Sequence, residues 1–182
     1  MLTKEQTGPQ TSWKPYEADA VLWRAMGQNF TTGNGGAYHN WGFRLDQQVL
    51  LVPDGSRAVQ VAINSLDAME HPFHMHGHSV QVVGWGPGRF DPSSTATTTT
   101  TWNRANPLRR DTFTVPADSH VVIRFMADNP GIWVLHCHVA WHLEAGMLVS
   151  FIERPGDLET LVQEMDPEAR ALSQSFCGKR NS

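Results

Sequence analysis

Histidine placement is the chemical signature of this chain. Of nine histidines, seven fall within residues 71–78 and 136–142, positions that would hold fewer than one by random placement. The first window reads His71-Pro72-Phe73-His74-Met75-His76-Gly77-His78, and the second His136-Cys137-His138-Val139-Ala140-Trp141-His142. In extended backbone the side chains alternate between faces, so His74 and His76 share one side, as do His136 and His138, while Cys137 takes the other. The spacing predicts an imidazole site and a thiolate site back to back, joined by two peptide units, as a conductor of electrons between two metal centres. His142 and Met147 return to the cysteine's side after a turn at Val139-Ala140-Trp141, and His71 is the natural second imidazole there.

Ligand softness selects the metal. One thiolate with imidazoles and a distant thioether suits copper, whereas structural zinc takes a closed tetrahedron with more cysteines. Two alternatives stay open: Cys137 paired with Cys177, which would disable the site, and Met147 as core packing. His39, His78 and His120 are read as structural, and Trp85, Trp133 and Trp141 as packing.

These residues need a scaffold, and the sequence outlines one. The chain has 182 residues, 40% hydrophobic and 18% charged, with 14 Lys+Arg against 18 Asp+Glu. That length suits one domain. The mild acidity and the sparse Arg104, Arg109 and Arg110 exclude a nucleic-acid face, and no apolar run is long enough to cross a membrane. Nor does the N-terminus carry the apolar core of a secretory leader. The single sequon, Asn29-Phe30-Thr31, and two cysteines leave the redox compartment open.

Short β-branched or aromatic runs separated by Pro and Gly predict about eight strands: Asp19 to Met26, 49–52, 58–64, 79–85, 111–115, 119–127, 132–137 and 147–153. Pro53-Asp54-Gly55-Ser56 predicts a hairpin between the second and third of these. Residues 27–42 read as a Gly/Asn loop and the Thr-rich tract within 91–106 as a polar loop. From Asp157 to Gln174 the period changes to helical, broken near Asp166-Pro167, which predicts two short helices. The expectation is an all-β sandwich or Greek-key barrel with a short helical C-terminal tail. Residues 1–17 are a loose segment, 18–155 the domain and 156–182 the tail.

HPFHMHGH at 71–78 and HCHVAWHLEAGM at 136–147 resemble the two copper-binding signatures in the last domain of multicopper oxidases. Asn106-Pro107-Leu108-Arg109-Arg110-Asp111-Thr112 and Ala127-Asp128-Asn129-Pro130-Gly131-Ile132-Trp133 also resemble segments of fungal laccases and ferroxidases, so the likeness covers roughly residues 18–178. It implies a cupredoxin-like (plastocyanin-like) fold. By the resemblance His71, Cys137 and His142 hold a type 1 copper with Met147 axial, His74 binds the type 2 copper, and His76, His136 and His138 bind the type 3 pair. These four histidines are half the family's trinuclear set. The resemblance thus implies that the chain is a fragment of a longer oxidase, or works with a partner chain supplying four histidines. Cys177 resembles a C-terminal cysteine that related laccases tie to their first domain.

The implied reaction is one-electron oxidation of a reductant at the type 1 copper, coupled to reduction of dioxygen to water, with Cys137, His136, His138 and His142 carrying the electrons. Phenol-type reductants are expected, with Fe(II) as the alternative because Asp67 matches an acidic position of fungal ferroxidases. A secreted location is implied by the resemblance alone. A pure electron-transfer cupredoxin would leave His74, His76, His136 and His138 idle, and a cupin would need a Glu where Ser79 or Val80 stands. A non-catalytic copper-binding remnant stays open.

Overall fold

The computed structural model describes residues 49–92 and 99–177. The expected strand at 19–26, the loops at 27–42, His39, the sequon and the centre of the Thr tract lie outside these residues, as does the side chain of Cys177.

Ten strands are described: β1 Val49–Val52, β2 Ala58–Ser65, β3 His71–Met75, β4 Val80–Pro87, β5 Thr101–Trp102, β6 Leu108–Arg110, β7 Thr112–Val115, β8 Ser119–Met126, β9 Gly131–Cys137 and β10 Leu148–Glu153. Three helices accompany them, α1 Ala140–Glu144, α2 Pro155–Glu164 and α3 Pro167–Cys177. One sheet has the order β1-β10-β9-β3-β7 and the other β2-β8-β4-β5, with β6 also paired to β4. Phe151, Leu50, Met75, Phe113 and Leu135 from the first sheet meet Val61, Val80, Ile123 and Phe125 from the second in one buried core. At its centre Phe151 stands edge-on to Phe125, ring centroids 5.5 Å apart.

The expected strands at 49–52 and 58–64 do form, but not as a hairpin. β1 pairs in parallel with β10, Val49 opposite Ser150, while β2 pairs with β8 in the other sheet. The 53–56 turn closes with Ser56 N–H donating to Pro53 O, with Gly55 at φ 78°, and so carries the chain between sheets. All four residues of β1 are buried. That continuous apolar burial is the mark of a parallel strand rather than of a half-solvated hairpin arm. Asp54 of the turn accepts the Gly156 N–H at 3.2 Å, capping α2 from outside its own segment.

The two C-terminal helices break at the expected place. Asp166 Oδ1 accepts the N–H groups of Glu168 and Ala169, both at 3.0 Å, which starts α3 anew. The expected turn at 139–141 instead opens a short helix, α1. No described helix is long and apolar enough to cross a membrane.

Gly77 links β3 to β4 with φ 71°, and a Cβ there would strike the indole of Trp133. Both effects oppose any side chain. Gly77→Ala is expected to cost about 2–4 kcal/mol in a denaturant titration. A change below about 0.5 kcal/mol, the range of an ordinary surface substitution, would contradict this account of the loop.

Candidate metal centre

β3 and β9 run side by side and antiparallel, with Phe73 opposite Cys137, His74 opposite His136 and Met75 opposite Leu135. Period-two alternation then sorts the residues. Met75, Leu135 and Cys137 turn to the core, where they are 1%, 2% and 0% exposed, and His71 joins them two residues before Phe73. His74 and His136 take the other face. The expected back-to-back arrangement is present.

On the cysteine's face, three donor atoms converge from three elements. Cys137 Sγ, at the end of β9, lies 3.5 Å from Nδ1 of His142 in α1 and 4.0 Å from Nδ1 of His71 at the start of β3. The two Nδ1 atoms are 3.2 Å apart. A point equidistant from all three lies about 2.1 Å from each, matching the about 2.0–2.3 Å of nitrogen– and thiolate–metal bonds. Among the described residues this trio has its ligand atoms mutually within 4.8 Å. One soft thiolate and two imidazoles suit copper better than a structural zinc.

Backbone hydrogen bonds lock the segment that brings His142 back. Cys137 N–H donates to Met147 O at 3.0 Å, and Met147 N–H to His142 O at 2.9 Å. Gly146, at φ 94°, makes the return possible. The backbone of Met147 is thereby held beside Cys137.

Asp67 orients His71. Its carboxylate oxygens lie 3.1 and 3.2 Å from His71 Nε2, which puts the ring proton there and aims the Nδ1 lone pair at Cys137. The Met69 N–H also donates to Asp67 Oδ1, at 2.9 Å. That amide first, and the His71 contact second, hold the Asp67 carboxyl below its ordinary value despite a 55% exposed side chain. The turn bond and the histidine contact therefore coexist.

The other face gathers His74, His76, His136 and His138. His76 Nε2 and His136 Nε2 are 3.1 Å apart, the separation of two neighbouring ligand atoms about 2.0–2.1 Å from one ion. Ring centroids are 4.9 Å apart for His74–His76, 5.6 Å for His136–His138 and 6.1 Å for His74–His138. His136 Nδ1–H donates to Cys137 O at 2.9 Å, and His74 Nδ1 lies 3.2 Å from Asp111 O, a tautomer in which each ring presents Nε2 as its lone pair. His76 is held below its ordinary pKa, first by partial removal of the ring from water and then by His74, His136 and His138. Neutral imidazoles with aimed lone pairs are what a metal requires.

His120 behaves as the structural residue expected: Nδ1–H donates to Gly88 O and Nε2 meets Thr100 Oγ1, both at 2.9 Å. His78 also stays apart, its Nε2 2.9 Å from Glu153 Oε2. Sequence reasoning missed the Asp111 carbonyl and Glu153, because neither lies near its histidine in the chain.

The multicopper oxidase family matches residues 11–157. Iron transport multicopper oxidase FET5 of Saccharomyces cerevisiae is 38% identical over 139 residues, 69% of this chain and 21% of its own. Iron transport multicopper oxidase fio1 of Schizosaccharomyces pombe is 47% identical over 97 residues, 53% of this chain and 15% of its own. Laccase-1 of Cryptococcus neoformans var. grubii is 43% identical over 97 residues, with the same 53% and 15% coverage. Among solved structures, Fet3p, a multicopper oxidase that functions in iron import, superposes with TM-score 0.65 at 28% identity, over 86% of this chain and 29% of that one. The L499M mutant of the laccase from B. aclada gives 0.63 at 29%, over 74% and 24%. The chain spans 15–21% of the length of these curated relatives. The fold is cupredoxin-like, and the chain belongs to the multicopper oxidase family.

Proposed function

We propose that this chain is the electron-entry domain of a laccase-like oxidase, in which His71, Cys137, His142 and Met147 would hold a type 1 copper. His74, His76, His136 and His138 supply half of a type 2/type 3 copper cluster. The observation that carries this reading is the β3–β9 register, which puts the two donor sets on opposite faces of adjacent residues. Copper supplies one-electron redox chemistry at the first site and, at the second, reduction of dioxygen to water.

The protein's own groups prepare each step. Burial of Cys137 keeps water from the sulfur, while His142 in α1, only part-buried and beside the exposed Trp141, offers an edge to a reductant. From Cys137 the backbone leads to both flanking histidines, and the His136 Nδ1–H bond to Cys137 O closes a second, shorter route to that ring. Asp111 and Thr112 fix His74 through its Nδ1. The remaining four imidazoles of the cluster come from further domains of a longer polypeptide or from a partner chain. A secreted working place belongs to the same reading and is supported by the likeness to laccases.

Phenol-type reductants are favoured by the apolar surroundings of the entry side: Leu66, Met69 and Trp141 are 67%, 52% and 68% exposed. One observation favours Fe(II) as the second reading. The Asp67 carboxylate, exposed and ionised, touches the His71 ring directly, and so links a cation on the surface to a ligand of the first site. In the complete oxidase, Asp67→Ala is expected to slow phenol oxidation by roughly tenfold through a loosened His71. A selective loss of Fe(II) oxidation with phenol oxidation intact would transfer the assignment to the ferroxidase reading.

Loaded with Cu(II), the chain is expected to show the intense blue band of thiolate-bound copper at about one per chain, absent in Cys137→Ser. Four-electron reduction of dioxygen by the purified chain alone would overturn the half-cluster assignment. In the metal-free chain, His76 is expected to titrate below the ordinary histidine value of about 6.5, because its neutral form is the favoured one. An NMR midpoint at or above that value would show that the cluster does not suppress its charge.

A further inference from the structure

His76 is the exposed histidine of the first window, yet its ring must stand opposite His136. Its own backbone tie is one hydrogen bond, N–H to Val134 O at 2.9 Å. Gly77 and His78, the next two residues, are met by side chains from two other segments. The carboxylate of Glu153, 0% exposed at the end of β10, accepts the Asn129 N–H at 2.8 Å through Oε1. Its Oε2 lies 2.9 Å from Nε2 of His78, whose side chain is 4% exposed, in a close but not in-line contact.

Asn129 closes the ring of contacts. Its Nδ2–H donates to Gly77 O at 2.9 Å, and its own carbonyl accepts the Trp133 Nε1–H at 2.7 Å. The His78 ring sits against Phe125 and Trp133, at centroid distances of 4.7 and 5.9 Å. Residues 77 and 78 thus meet Asn129, through a hydrogen bond to the Gly77 carbonyl, and Glu153, through a close approach of its carboxylate to the His78 ring. A buried carboxylate is costly compared with an apolar side chain of the same size, so its presence calls for a task that an apolar side chain could not perform.

We propose that Glu153 is a positioning residue for the four-histidine site, clamping His78 and the Asn129 turn so that the loop through Gly77 delivers His76 to His136. This rests on the reading of His74, His76, His136 and His138 as copper ligands. The clamp itself is made by protein groups alone and needs no metal.

The test uses the 182-residue chain with Glu153→Gln, Glu153→Leu and Asn129→Ala. Cu(II) titration is followed by the blue band for the cysteine site and by the EPR signal of imidazole-bound, non-blue copper for the other. Amide exchange at His76 is measured without metal. Glu153→Leu and Asn129→Ala are expected to weaken the non-blue site about tenfold and to speed exchange at His76, with the blue band unchanged. Glu153→Gln keeps an oxygen for the Asn129 N–H and is expected to lose less. Should Glu153→Leu not fold, Asn129→Ala carries the test, since its side chain reaches solvent. Unchanged exchange and unchanged non-blue affinity would overturn the proposal, and so would a proportional loss of both copper signals, the mark of general destabilisation. An unmutated chain that binds only blue copper would overturn the ligand reading instead, and the amide exchange at His76 would then decide the clamp alone.

Discussion

The pairing of β3 with β9 is the constraint on which both sites depend. A strand's side chains alternate with period two, so a slip of one residue in this pair would send Cys137 to the face of His74 and His136 to the core. Apolar burial fixes the register: Met75 and Leu135 are opposite one another and almost wholly removed from water. Backbone bonds finish the ladder at both ends, His76 N–H to Val134 O and His138 N–H to Pro72 O. The same hydrophobic pattern that folds the sheet therefore decides which donor serves which site. Function here has no separate scaffold.

Imidazoles in such positions must be satisfied or they destabilise the fold, since a buried polar nitrogen without a partner costs on the order of 1–3 kcal/mol. The way each ring is satisfied distinguishes its task. His120 engages both nitrogens within the protein and has nothing left to offer. His71, His74 and His136 each engage one, with Asp67, Asp111 O and Cys137 O respectively, and leave the other nitrogen for a second partner. A half-satisfied ring set among other donors is the physical mark of a ligand position. On that criterion His120 stands apart from the other three, for which copper ligation is the proposed role.

Much of this was legible because it is local. The HxH and HCH spacings encode face and neighbour directly, and the change of period at Asp157 with its break at Asp166-Pro167 encodes two helices. What was not legible is non-local or weakly patterned. Pro53-Asp54-Gly55-Ser56 is the same turn chemistry whether the chain reverses within a sheet or crosses to the other, and only the unbroken apolar run of β1 hinted at the second. β5 and β6 are two and three residues long, too short to show alternation. Glu153 sits 75 residues from His78, so no local pattern ties the two.

The two sites differ in how far this fold completes them. Cys137 and His71 are buried at 0% and 4%, and among the described residues three elements bring the donors of their site together. On the other face His136 is buried but His76 and His138 stand exposed. Of the four, His76 is held below its ordinary pKa, first by partial removal from water and then by its three neighbours. In the proposed oxidase these four rings, and imidazoles brought from elsewhere, donate their lone pairs to copper. The affinity of that contact then draws on the metal as well as on buried area, because each bound ion removes repulsion between donors on both sides at once. In that reading such an interface strengthens with copper occupancy, whereas the donors of the cysteine site all come from β3, β9 and α1 of this chain.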